Sequence, residues 1–171
     1  DSKSTLLDTR LNYRFLDLRN EKNLLLFKVQ TYLINKMREF VLKNNFIEIH
    51  TPKLIGAASE SGADVFEVKY FDRNAYLAQS PQFYKQMAMA SGLERIFEVG
   101  PVFRAEKSYT NRHTTEFTGF DLEFSYIVSY QDVMDLEANL LIYMLKKVEE
   151  KYGNQIKEIF GTEVIVPAFP F

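Results

Sequence analysis

FEVGPVFRAEKSYTNRHTTEFTGFDLEF, residues 97–124, reads as two strands joined by a polar, basic loop. Side chains alternate between the two faces of a strand. On the first strand Val102, Arg104 and Glu106 share a face, with Phe103 and Ala105 on the other. On the second, Phe117, Gly119, Asp121 and Glu123 share a face, opposite an apolar row of Phe120, Leu122, Phe124 and Tyr126. One side of the hairpin is therefore core. The other gathers an arginine, three carboxylates, one aromatic ring and a glycine that leaves a gap. Such a face forms a floor for a flat, anionic ligand.

Working outward, Asn20 can cap a helix in which Leu25, Val29, Leu33, Met37 and Val41 recur every fourth residue as a core stripe. That helix stops near Asn44-Asn45, where Phe46-Ile47-Glu48-Ile49 takes over as a strand running into Thr51-Pro52. Residues 56–64, GAASESGAD, have no period and read as a loop. Strands follow near 65–71 and 75–79, hinged at Asp72-Arg73-Asn74. Ser80-Pro81 opens a helix that Gly92 closes, and Ser129 caps a long last helix expected to end at Gly153. Strands linked by tight turns and flanked by helices give an α+β class with an antiparallel sheet. Residues 1–19 read as a polar linker and 20–171 as the domain.

The chain of 171 residues is 46% hydrophobic, enough for a sizeable core. A net charge of −2 gives no global attraction to nucleic acid, so any RNA contact must be local. There is no cysteine, which excludes disulfides and thiolate metal sites and fits a reducing compartment. No apolar run approaches the roughly 20 residues of a membrane span. The ends, Asp1 and Phe169-Pro170-Phe171, read as cuts through a longer protein.

Each candidate constellation has a plainer alternative. Arg104-x-Glu106 suits a bidentate grip on phosphate oxygens, although an Arg-x-Glu taken alone is more often a weak surface ion pair. Phe117 offers a ring on which a purine can stack, worth about 1–3 kcal/mol, because it alternates with Gly119, Asp121 and Glu123. Asp121 and Glu123 project together, either as solvated acids or as ligands for Mg²⁺ held jointly with phosphates. Gln82, Lys85 and Gln86 project from one helix face and suit a small substrate bearing a carboxylate. His50 and His113 are too far apart in sequence to argue for a metal site or a triad, and no glycine-rich phosphate loop occurs.

These strings resemble the catalytic domain of class II aminoacyl-tRNA synthetases, in particular the aspartyl enzymes of archaeal and eukaryotic cytosolic type. The match runs from about Asp8 to Tyr152. Residues 28–55, ending in Phe46-Ile47-Glu48-Ile49-His50-Thr51-Pro52-Lys53-Leu54, resemble motif 1, in which Pro52 would mark a homodimer interface. Phe103-Arg104-Ala105-Glu106 and Arg112-His113-Thr114-Thr115-Glu116-Phe117 resemble motif 2. The resemblance implies that Arg104 binds the ATP α-phosphate, that Glu106 supports the adenine end, that Phe117 stacks under adenine, and that Arg112 and His113 lie on the phosphate side. It gives Gln82 and Lys85 to the amino acid, with Lys85 pairing the aspartate side chain. Ser59 and Glu60 fall in a loop closing over the amino acid, and Ser108 and Thr110 at a loop tip near the tRNA acceptor end. The implied partners are ATP with Mg²⁺, L-aspartate and tRNA-Asp, and the implied location is the cytoplasm. Motif 3 and an N-terminal anticodon-binding domain are absent from these residues, so the isolated chain is expected to be inactive. An archaeal-type asparaginyl enzyme is the near alternative, against which Lys85 argues by its charge. A non-catalytic dimerisation or regulatory protein of the same fold is the other.

Overall fold

The computed structural model describes residues 5–57, 64–107, 110 and 112–170. In chain order its elements are α1 (Leu7–Asn12), α2 (Arg14–Asp17), α3 (Glu21–Lys43), β1 (Ile47–Glu48), β2 (Leu54–Ile55), β3 (Glu67–Tyr70), β4 (Arg73–Leu77), α4 (Gln82–Ala90), β5 (Arg95–Phe103), β6 (Glu116–Phe124) and α5 (Tyr130–Phe160). They fall into two compact units, residues 1–43 with 128–171, and residues 44–127.

The first unit is helical. In α3 and α5, aromatic and charged side chains interlock: Tyr32 meets Tyr152 edge-on with centroids 5.6 Å apart, and Tyr143 donates to Glu39 at 2.8 Å. Ser129 caps α5 in a reciprocal box with Asp132. The helix runs through Gly153 to Phe160 and ends on Gly161 at φ 69°, beyond the expected stop. An internal glycine costs about 1 kcal/mol of helix propensity. The contacts of Tyr152 and of Phe160, which lies under the Lys22 ammonium, carry the helix past it. Within the expected linker, residues 7–17 form α1 and α2, held by Asp17, a buried carboxylate that accepts from Arg10 at 2.7 Å and pairs with Arg14.

The second unit carries two three-stranded sheets, β1-β5-β6 and β2-β4-β3. All pairings are antiparallel except that of β1 with β5, which is parallel. A long connection separates those two strands, as parallel neighbours require. The β3–β4 turn falls at Phe71-Asp72, earlier than expected, because Tyr70 pairs with Arg73 and Phe71 adopts a φ of 55°. The β5–β6 ladder matches Val102 with Phe117, Gly100 with Gly119, Glu98 with Asp121 and Ile96 with Glu123. Paired residues lie on the same face, so the polar row and its gap are set by register. On the opposite face Phe97, fully buried, stacks on Phe120 with centroids 5.7 Å apart.

Candidate functional site

All of the site described here belongs to the second unit. Gly100 and Gly119 face each other across the ladder, so the sheet has no side chain there and a trough opens. A Cβ placed on Gly119 would meet nothing closer than 3.9 Å. At one end of the trough stands Phe117, 38% exposed, with the Arg104 guanidinium 5.5 Å from its ring centroid. Arg104 closes the strand pair by donating its backbone N–H to Thr115. Its Nε is buried and has no hydrogen-bond partner. A buried, unpaired donor on a permanent cation costs free energy until an acceptor arrives. Together the ring, the guanidinium and the bare floor fit a planar heterocycle joined to an anionic group.

Beyond the glycines, α4 supplies Lys85. Its N-terminus forms where Ser80 Oγ accepts the Gln82 N–H at 3.3 Å, with Pro81 itself at the cap position. One turn in, the Lys85 ammonium is buried, ion-paired with Asp121 and 3.1 Å from Glu123. Burial pushes this ammonium toward neutrality. The bonds to Asp121 and then Glu123 outweigh that, so its pKa lies above the ordinary lysine value. Lys85 stands between Asp121 and Glu123, the pair expected as Mg²⁺ ligands, and is ion-paired with both. Among the described residues no group of three or more acidic or histidine side chains could hold a metal ion. And the ammonium expected to await a substrate carboxylate is already neutralised by the protein.

A second lysine enters unannounced by the local pattern. Glu98, 3% exposed, accepts from Thr51 N at 2.9 Å, Thr51 Oγ1 at 2.7 Å and Lys53 Nζ at 2.8 Å. Burial raises the Glu98 pKa, and the hydrogen bonds from Lys53 and Thr51 outweigh it, leaving the carboxyl below its ordinary value. This network pins the segment around the exposed Pro52 to β5. The signal lay in the alternation: Glu98 falls on the same face as Val102 and Arg104.

The remaining candidates are not among the residues that line the trough. Glu106, Arg112 and His113 are exposed, and Gln82 is half-buried at the start of α4. Thr110 Oγ1 sits 2.6 Å from His113 Nδ1 and accepts the Arg112 N–H at 3.4 Å. Ser59, Glu60 and Ser108 lie outside the described residues.

Residues 6–169 match the family of tRNA synthetases class II (D, K and N). The chain is 49% identical over 152 residues to an aspartate–tRNA(Asp) ligase of Picrophilus torridus, covering 89% of this chain and 36% of that protein. It is 45% identical over 152 residues to the human cytoplasmic aspartate–tRNA ligase, covering 89% and 30%. Thus the chain spans about a third of the length of these relatives. Among solved structures it resembles an asparaginyl-tRNA synthetase of Pyrococcus horikoshii complexed with asparaginyl-adenylate (TM-score 0.86, 37% identity, 98% of this chain and 39% of that one). It also resembles an aspartyl-tRNA synthetase of Entamoeba histolytica (TM-score 0.77, 37% identity, 98% and 29%).

Proposed function

Because the chain belongs to the tRNA synthetases class II (D, K and N), we propose that its parent protein is an aspartate–tRNA ligase and that the trough on β5–β6 receives ATP. The observation that carries the nucleotide reading is Arg104, a half-buried cation whose buried Nε has no partner, set over Phe117 beside two facing glycines. Adenine stacks on Phe117 and the α-phosphate takes the orphaned Arg104 donor. An aspartate α-carboxylate oxygen then attacks the α-phosphorus, the bond to the β-phosphate oxygen breaks, and pyrophosphate leaves. The terminal ribose hydroxyl of tRNA next attacks the aspartyl carbonyl and releases AMP. Negative charge grows on the α-phosphate oxygens during the first step, so a preplaced guanidinium lowers its barrier. Mg²⁺ would enter as the companion of the ATP phosphates, and no step here rests on protein ligands to it. Arg112 and His113 on the phosphate side, Ser59 and Glu60 over the amino acid, and Ser108 and Thr110 toward tRNA remain roles implied by the family resemblance. Homodimerisation through the segment at Pro52 and a cytoplasmic setting belong to the same reading.

The amino acid is aspartate on the strength of the curated relatives named above. Lys85 no longer decides it by charge alone, since Asp121 and Glu123 neutralise its ammonium. It keeps a donor direction for a side-chain oxygen, and the flanking acids suit the substrate's α-ammonium. Asparagine is the second reading, favoured by the likeness to the Pyrococcus horikoshii structure. Pyrophosphate exchange by the parent protein separates them. Dependence on aspartate, with a raised KM for aspartate in Lys85→Met, supports the ligase as proposed. Exchange driven by asparagine instead overturns it.

A further inference from the structure

Lys53 lines the same cleft as Arg104, Phe117 and Gly119. Its ammonium has three donors. One goes to Glu98 Oε1 at 2.8 Å and one to Thr51 Oγ1 at 3.0 Å; the third has no partner among the described residues. The Thr51 hydroxyl relays this order by donating to Glu98 Oε2 at 2.7 Å. Both Glu98 oxygens are thereby engaged, and swinging the lysine away would leave a carboxylate that is 3% exposed with its Thr51 bonds but without a cation. The held ammonium lies against the trough floor: a Cβ on Gly100 would sit 3.5 Å from Lys53 Cε and 3.6 Å from its Nζ. Along the ladder, Gly100 lies between the pair Val102–Phe117 and the pair Glu98–Asp121. The ammonium therefore stands beside Gly100 and Glu98, on the stretch of floor between the register positions of Phe117 and Asp121.

We propose that Lys53 is a substrate-contacting cation, oriented by Glu98, that receives an anionic oxygen where the nucleotide phosphate meets the amino-acid carboxylate. The proposal rests on the nucleotide reading of the trough and adds a contact to it. Arg104 then approaches the phosphate from the Phe117 end and Lys53 from the floor. Glu98 touches no ligand and acts as a positioning residue. An ammonium already fixed by two bonds loses little freedom on binding, which favours a charge-assisted contact.

The test titrates the chain separately with ATP, AMP and L-aspartate, by calorimetry or ligand-observed NMR, in five forms: unaltered, Lys53→Met, Lys53→Arg, Glu98→Gln, and Lys53→Met with Glu98→Gln. Lys53→Met should weaken one class of ligand on the order of 10- to 100-fold. Loss for ATP and AMP identifies a phosphate oxygen, and loss for aspartate alone identifies the carboxylate. Lys53→Arg should retain more binding than Lys53→Met. Glu98→Gln should weaken the same ligand less, by releasing the ammonium. Because Lys53→Met strands the Glu98 charge and can unsettle the fold, the double variant is decisive. It removes both charges, and thermal unfolding reads its stability. Weak binding in a stable double variant supports the contact. Recovery of binding to the unaltered level shows a purely structural pair and overturns the proposal, as does binding indifferent to Lys53. If the unaltered chain binds none of the three ligands, the nucleotide reading falls and this contact falls with it.

Discussion

Gly119 opens the trough without being needed for the fold around it, since a Cβ there meets only Gly100 O and Val102 Cγ2 at 3.9 Å. Gly119→Val should therefore leave the melting temperature close to that of the parent while obstructing the floor and weakening ATP at least tenfold. An equal fall in both would mean that the glycine serves strand packing. Lys85 yields a prediction with the opposite pattern. Removing its ammonium leaves Asp121 and Glu123, each 32% exposed, facing one another without a cation. Lys85→Met should cost about 1–3 kcal/mol of stability, and Asp121→Asn in the same chain should recover part of it. Denaturant midpoints of the four species measure that coupling. The sign with pH follows from the raised pKa of Lys85: its contribution is whole below 10.5, its ordinary value, and is lost as pH climbs through the folded value. At this scale alternation was sufficient to place Phe117, Gly119, Asp121 and Glu123 on one face. It was blind to Lys85 and Lys53, because both arrive from distant segments and only the fold sets them against the sheet.

Between elements, Glu39 of α3 accepts from Tyr143 of α5 at 2.8 Å and, within α3, from Lys43 at 2.7 Å, and is ion-paired with Lys36. The Lys36 bond, followed by those of Lys43 and Tyr143, pulls its carboxyl from 4.5 to about 2. Its contribution is therefore present above 4.5 and disappears as pH falls toward 2. Melting temperatures of the parent and of Glu39→Gln should differ near neutrality and converge toward pH 2; a gap that stays constant with pH would contradict the assignment. The α5 cap offers a simpler check. Ser129→Ala should cost about 1 kcal/mol, read by thermal or denaturant unfolding, since Ser129 Oγ accepts the Gln131 N–H at 3.2 Å. Elements with a strong apolar period, α3 and β5–β6, were legible in the sequence to within a few residues. Gly153 misled because a glycine ends helices only where packing does not continue them. The turn at Phe71-Asp72 was missed because a phenylalanine at positive φ carries no turn signature. Segments α1 and α2 were missed because Asp17 draws Arg10 and Arg14 into a short-range network with no apolar period.

For the whole molecule, the family could be read from strings such as Phe103-Arg104-Ala105-Glu106, whose specificity exceeds that of any single residue. The ion pairing of Lys85 with Asp121 and Glu123 could not, because it depends on which charges the fold brings together. The chain spans about a third of its curated relatives, and a partly assembled electrostatic site loses most of its preorganisation. Aspartate-dependent pyrophosphate exchange should accordingly be at background for these 171 residues and clear for the parent protein. In the parent, Arg104→Ala should lower kcat by about 10²- to 10³-fold. The central claim, that the β5–β6 trough is a nucleotide site, is tested most directly by titrating the chain with ATP, using ligand-observed NMR to reach millimolar affinities. The account predicts saturable binding in which adenine protons receive magnetisation from the protein, with binding lost in both Phe117→Ala and Arg104→Ala while circular dichroism stays unchanged. Binding that survives both substitutions, or no binding by the unaltered chain, would contradict it.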